Sequence, residues 1–508
     1  MKSAQRIKDL LDGNLPLSLK DCKRGIEKES LRTSCGKISS SIHPMKLGSP
    51  LFNKYITTDF SESLLEAITP PLKSNTQTIS FLKSIEKRVY QSIEDELLWP
   101  FSIPPSGTTN DLIKIAYYGT SNQAKLKQIY RKGLSHRYGR IMQVIAGIHY
   151  NFSFPNSFFS EISRISNQKK LKEVRDDIYL ATIRNLKRNN WLLLYLFGSS
   201  PIVTEELIGS RAHNFRKYRD IFYLPHATSL RMSDLGYTNK SQSGLRVSTN
   251  SLDDYISSLD YAVSNPSEEY SQIDTFLGDS RLQLSENYLQ IEDEFYSSVR
   301  PKSSAEGDKR QTKKLKKTGI DYIEIRSLDL DPDLPSGISM KESIFLDLFI
   351  IYCMASKDMK IGNDEYHQIQ KNDLNVSLFG RKKRIKLKRN LEEIYLKDWG
   401  LKILDGMESI AEAMNMDIDI MPYRRMVLSP EETKSGLILD DILSSKIDFT
   451  KHALSIAQKN KAILLDEIVD PRFEKLINKE IEQSFKLYQE NEKENDITFE
   501  NYLKEYLS

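Results

Sequence analysis

Five short stretches of the 508-residue chain alternate polar and apolar residues with period two: GIEKES (25–30), LLEAIT (64–69), GIHYNFS (147–153), YLQIEDEFY (288–296) and YIEIRS (322–327). Alternation of this kind marks strands with one face toward a core. They are scattered among helical segments with no repeating strand–helix–strand rhythm, so the expected fold is α+β, a mainly antiparallel sheet surrounded by helices. The segment from Asn75 to Glu96 reads as a helix with an Asn cap, with Ile79, Leu82, Ile85, Val89 and Ile93 on one face and Trp99-Pro100 ending it. Residues 157–200 also read as helical, and amphipathic helices fill the chain from about Met340 onward. No fixed-period repeat or low-complexity linker divides the sequence. One domain over residues 1–508 is therefore expected, with the sheet motifs within 25–332 and a helical portion over about 340–508. The charged C-terminal stretch from Lys479 is expected on the surface, frayed.

Composition narrows the classes. The three cysteines, Cys22, Cys35 and Cys353, show neither CxxC nor zinc-ligand spacing, which fits a reducing cytoplasm without disulfides. The N-terminal residues intermix charge with apolar side chains and do not read as a signal peptide. The most apolar runs, WLLLYLFGSS (191–200) and SIFLDLFIIYCMAS (343–356), fall short of the ~20 residues of a membrane span and read as buried helices. A net charge of +3 is nearly balanced, so no nucleic-acid partner is expected from composition. The basic runs KRQTKKLKK (309–317) and RKKRIKLKR (381–389) read as solvated loops or exposed faces.

On each strand, residues two apart share a face. Glu27 pairs in this way with Glu29, His149 with Asn151, Glu292 with Glu294, and Glu324 with Arg326. A solvated sheet face ordinarily mixes Lys, Thr, Ser and Gln, and any one of these strands is compatible with that. Several faces made of carboxylates, one histidine, one asparagine and one arginine are a different pattern. Clustered carboxylates repel one another unless a cation neutralises them, and hard divalent ions prefer oxygen ligands. Mg²⁺ is the natural occupant, and His149 is compatible with Mn²⁺. Mg²⁺ completes its shell with water and substrate phosphates, so an acidic cup beside an arginine points to phosphoryl chemistry on a nucleotide. ITTDFSESLLEAITP (56–70) adds Asp59 and Glu66, the latter flanked by Leu64 and Ile68; a metal ligand and a core ion pair both fit it. No P-loop and no Rossmann glycine turn occurs, so metals and basic side chains would hold a nucleotide. Acting on phosphodiesters, with the basic runs on a nucleic-acid backbone, is the rival use of such a cup.

GIEKESLR, YITTDFSESLLEAITP, YGTSN (118–122), LYLFGSSP (194–201), YLPHATSLRMSDLGYTNKSQS (223–243), LQIEDEFYSSVRP (289–301) and YIEIRSLDLDP (322–332), in this order, resemble bacterial glutamate–cysteine ligase of the monofunctional proteobacterial type. The resemblance runs from about Gly25 to Pro332 and implies a catalytic sheet of the glutamine synthetase-like type. It also implies an ATP-dependent ligase joining the γ-carboxylate of L-glutamate to the amine of L-cysteine, the first step of glutathione synthesis. Its metal ligands fall on Glu27, Glu29, Asp59, Glu66, His149 and Glu324. By resemblance Arg326 neutralises the transferring phosphoryl group, with Arg131 beside it. Tyr130, Leu134, Gln143, Ile145, Tyr237, Asn239 and Tyr296 form the cysteine pocket, and Arg231 looks like the ligand of a substrate α-carboxylate. A cytoplasmic monomer without membrane contact is expected. The resemblance gives the two basic runs no role.

Overall fold

The computed structural model describes residues 19–165, 170–236, 244–306, 310–390, 392–493 and 497–507. Six strands form its central path: β1 (Lys23–Ser34), β2 (Ile56–Thr58), β3 (Leu64–Ile68), β4 (Ile148–Ser153), β5 (Val299–Lys302) and β6 (Tyr322–Leu328). They are ordered β5-β6-β4-β1-β3-β2, every neighbour antiparallel, and the short strands Lys37–Ile38 and Leu97–Leu98 add to β1. Four of the five alternating stretches lie in this sheet. Edge strand β5 tolerates Pro301, which can donate nothing to a ladder.

The exception is YLQIEDEFY, where Glu292–Glu294 is a 3₁₀ turn and not a strand. Its acids are anchors. Glu292 accepts from Arg310 at 2.7 Å and Thr312 at 2.6 Å, and Glu294 accepts from Arg137 at 2.9 Å and Tyr138 at 2.7 Å. Two acids two apart suit a tight turn as well as a strand, and only their distant partners distinguish the cases.

One face of the sheet is apolar. Ile26, Ile148, Tyr150, Phe152, Ile323 and Ile325 are buried there, and helices cover them. The covering helices include α1 (Asn75–Tyr90), α3 (Leu171–Phe197) and α4 (Met340–Ala355), with α2 (Asn122–Tyr138) elsewhere in the fold. Ser74, not Asn75, caps α1, its side chain accepting from the Gln77 amide. The helix stops at Tyr90 because the chain must turn to place Leu97–Leu98 against β1, and Glu94 adopts φ 49° on the way. A capping box of Ser339 and Glu342 starts α4, which is buried along most of its length. Among the described residues no helix is long and apolar enough to cross a membrane.

The C-terminal stretch is docked. Helix α7 (Phe499–Leu507), which follows α5 (Asn363–Phe379) and α6 (Leu396–Met414), buries Leu503 with Leu126, Leu284 and Ile291. Glu492 accepts from the Thr120 and Ser121 amides, 2.9 Å each, at the start of α2, where a carboxylate meets the positive end of the helix. The basic runs are also partly absorbed. Residues Gln311–Thr318 form a helix that Arg310 fastens to Glu292, Asp260 and the Leu507 carbonyl. Lys386–Arg389 pairs with Glu392–Tyr395 as a hairpin, in which Lys386 lies 3.1 Å from Glu393.

Two ion pairs cross the apolar layer. Arg24 lies 2.9 Å from Asp347 on α4, and Lys28 pairs with Glu86 on α1, with both members of each pair nearly inaccessible. Removing one partner of such a pair leaves a buried charge uncompensated, at about 3–5 kcal/mol. Lys28→Met should therefore lose about that much stability in urea unfolding, and Lys28→Met with Glu86→Leu should regain most of it. A loss of about 1 kcal/mol or less in the single variant, as at an exposed pair, would contradict the pairing as described.

Candidate active site

The face opposite the helices carries the acids. The antiparallel register sets Glu27 across from His149 and Glu29 across from Glu66, and Asn151 lies between Gly25 and Glu324. His149 is the hub. Its Nδ1 is 3.2 Å from Glu27 and 3.6 Å from Glu324, and its Nε2 is 3.5 Å from Glu29. Asn151 donates to Glu27 at 2.7 Å. Two triads with ligand atoms within 4.8 Å of one another result, Glu27–His149–Glu324 and Glu29–Glu66–His149.

The two triads differ electrically. Burial would raise Glu27, but its hydrogen bond with His149 holds it below the usual carboxylate range. Glu324 is also held low against burial, by Lys302 and Arg326, which lie 3.6 Å and 2.9 Å from its oxygens. On the other side burial raises Glu29, while burial together with Glu27, Asp59 and Glu29 raises Glu66 well above the ordinary value. One half of the cup thus has its own cations, and the other half has an excess of acid. Among the described residues, the buried Nε2 of His149 and Oε2 of Glu324 have no hydrogen-bond partner. Two sets of oxygen donors around one imidazole, each with a buried donor atom left open, suit a hard divalent cation.

Asp59 belongs to neither triad. Its backbone carbonyl accepts from Arg131 Nε and, at 2.9 Å, from the Tyr118 hydroxyl. The Arg131 guanidinium lies 4.8 Å from the Tyr118 ring centre, so Arg131 is fixed beside the segment that carries Asp59. Lys127, one turn earlier on α2, is drawn down to about 8 by burial and by Arg131.

Arg326 follows a slip in the β4–β6 register between Ile325 and Leu328, and its amide donates to the Ser298 carbonyl at 2.8 Å. Bulges of this kind re-aim side chains beside sites. Arg231 lies under the cup, 1% exposed, donating to the Arg326 carbonyl at 3.2 Å and lying 3.7 Å from Asp329. Asp329 in turn accepts from the Ser199 amide and the Ser200 and Ser229 hydroxyls at 2.7–2.9 Å. A Cβ at Gly147 would stand 2.0 Å from Arg231 Nη2, so any larger residue there would displace the buried guanidinium. The Gly147 amide also donates to Glu29 at 2.8 Å.

Of the remaining residues expected at the site, Gln143 donates to the Tyr296 hydroxyl at 3.0 Å, and Tyr296 meets the Tyr138 ring edge-on at 5.9 Å. Tyr130 is half-buried and its carbonyl accepts from Gln290 at 3.3 Å. Leu134 is buried in the main core and Ile145 in a small cluster with Ile103 and Leu207. Tyr237 and Asn239 lie outside the described residues. Sequence reasoning missed Lys302, Lys127 and Asp329. For Lys302 a signal existed, since Ser298, Arg300 and Lys302 alternate, although Pro301 between them weakens it.

The family of glutamate–cysteine ligases matches residues 7–376 of the chain. A glutamate–cysteine ligase of Alcanivorax borkumensis is 40% identical over 468 residues, covering 89% of each chain. One of Pseudoalteromonas translucida is 41% identical over 451 residues, covering 86% of each. The crystal structure of a glutamate–cysteine ligase of Francisella tularensis in complex with AMP superposes with a TM-score of 0.89 at 32% identity, covering 96% of this chain and 97% of that one. With most of its length matched by the family and its fold shared with a solved member, the chain belongs to the glutamate–cysteine ligase family.

Proposed function

We propose that the protein joins the γ-carboxylate of L-glutamate to the amine of L-cysteine at the expense of ATP, giving γ-glutamylcysteine, ADP and phosphate, the first step of glutathione biosynthesis. The observation that carries this reading is the convergence of Glu27, Glu29, Glu66, His149, Glu324 and Arg326 on one sheet face, in a chain of this family. We read residues 1–508 as one catalytic unit, acting as a monomer in the cytoplasm; all three cysteines are free, in keeping with a reducing compartment.

A carboxylate is a poor acyl donor, so its γ-oxygen first attacks the γ-phosphorus of ATP, breaking the bond to the β-phosphate and releasing ADP. Both partners are anionic, and the site must neutralise them. Glu27 and Glu324 would hold one Mg²⁺, or Mn²⁺, and Glu29 and Glu66 a second, with the one lone-pair nitrogen of neutral His149 serving either ion and Asp59 completing the acidic shell. Ions held by these residues would screen the phosphates and stabilise charge on the transferring group. Arg326, held by Glu324, presents a fixed cation to the same group, and Arg131 supplies a second from α2. Arg231 takes a substrate α-carboxylate, oriented by Asp329. The cysteine amine then attacks the γ-glutamyl phosphate carbonyl, and phosphate leaves. Tyr296 and Gln143, hydrogen-bonded to each other, line the acceptor side with Tyr130, Leu134 and Ile145, and the family resemblance assigns Tyr237 and Asn239, outside the described residues, to the same substrate. Enclosure keeps water from the acyl phosphate.

Purified protein with Mg²⁺ and ATP should release phosphate only when L-glutamate and L-cysteine are both present. Release that does not depend on an added amine overturns the ligase reading. Arg326→Ala should lower kcat by about a hundredfold or more while leaving the folded spectrum intact; near-normal turnover would remove its assigned role. Glu66→Gln should behave oppositely in two assays. Relieving the crowding of Glu27, Asp59 and Glu29 should raise the melting temperature of the metal-free protein, whereas Mg²⁺-dependent turnover should fall steeply. A lowered melting temperature would show that Glu66 is a structural acid.

A further inference from the structure

Beyond the edge strand of the sheet lies a cavity of about 310 Å³, at the lower end of the range for small-molecule sites. It is separate from the acidic cup. Helix α3 gives it Lys187 and Leu194, α5 gives Tyr366 and Asp373, and the segment Phe295–Ser298 closes the side toward the active site. The walls are mostly apolar, and two charged groups at the cavity are unlike the other buried charges of this protein.

Lys187 is 9% exposed and, among the described residues, makes neither a hydrogen bond nor an ion pair. Other buried cations have partners: Lys28 pairs with Glu86, Arg24 with Asp347, Arg137 with Glu294 and Lys434 with Asp331 and Glu342, while Arg131 donates to the Asp59 and Lys127 carbonyls. Burial alone draws Lys187 down to about 8. Asp373 is tied through one oxygen to Asn190 at 2.8 Å, while its buried Oδ1 has no partner. Burial raises its carboxyl to about 7. Away from the acidic cup, one cation and one acceptor are left unpaired at the same apolar cavity. Leaving them so costs stability that no group among the described residues offsets.

We propose that this cavity binds a small organic monocarboxylate with an aromatic or branched apolar body, its carboxylate on Lys187 and a donor group near Asp373. Arg246 also lines the cavity but is committed to the Ile361 carbonyl and lies over the Tyr366 ring, so Lys187 is the uncommitted cation, and one such cation beside a carboxyl suits one negative charge better than a phosphate dianion. The occupant would touch Phe295–Ser298, the segment that carries Tyr296 and whose Ser298 carbonyl holds the Arg326 amide. It would therefore sit directly behind the catalytic residues without entering the cup. Binding at the cavity does not depend on the ligase reading, and its test needs no turnover.

Phenylacetate and the isosteric neutral phenylacetamide form a matched probe pair for ligand-observed NMR on the full chain. Phenylacetate should bind at least tenfold more tightly than the amide, and saturating ATP with Mg²⁺ should not displace it. Lys187→Met should abolish the preference for the anion and should raise the melting temperature of the free protein, because it replaces an unpaired buried ammonium by a thioether of similar length. Equal binding of the two probes, no binding of either, displacement by ATP, or unchanged anion preference in Lys187→Met would each overturn the proposal. A fall in the melting temperature of Lys187→Met would do so too, since it would give Lys187 a structural role.

Discussion

The antiparallel register of β1 is the constraint on which the site depends. Because side chains alternate across a strand, Glu27 and Glu29 must share a face, and pairing fixes what stands beside them: His149 across from one, Glu66 across from the other. A slip of one residue would turn both acids into the helical layer and bring Lys28 out. The opposite face guards against that slip. Lys28 finds Glu86 and Arg24 finds Asp347 only in this register, and Ile26 fills the space between.

Concentrating acids in this way has an electrostatic cost that the protein offsets unequally. Glu324 has Lys302 and Arg326 within ion-pair distance, so that side of the cup is internally balanced. Glu66 has three other carboxylates acting on it and too little positive charge in return. The imbalance is the physical reason to expect an external cation there, and it also explains why the site residues are not those that a stability argument would choose. The surroundings hold the cup rigid: Arg131 is fastened to the Asp59 carbonyl, Arg231 is wedged under Gly147, and Asp329 is satisfied by three donors from two other segments. Preorganised cations of this kind act on developing charge without first having to move.

Much of this was legible in the sequence. The strands at 25–30, 64–69, 147–153 and 322–327 announced themselves by alternation, and every acid in the two triads was visible as a face-sharing or apolar-flanked residue. Failures came where spacing alone is ambiguous. Glu292 and Glu294 have the same spacing as Glu27 and Glu29, yet they serve Arg310 and Arg137 from a 3₁₀ turn. The C-terminal stretch is as charged as a frayed tail, but Glu492 and Leu503 find partners on and beside α2 more than 350 residues away in sequence.

The sequence by itself determined the α+β class, the strands and the chemistry of their polar face, because alternation is a local property and a strand has only two faces. Tertiary structure decided which acids meet. Whether a carboxylate becomes a metal-ligand candidate, as Glu66 does, or a structural counterion, as Glu294 does, depends on the group that long-range pairing sets opposite it. Lys302 and Asp329 enter the site in the same way. No local pattern encodes the partner, since the distances that decide it are set by how the sheet and its covering helices close around one another.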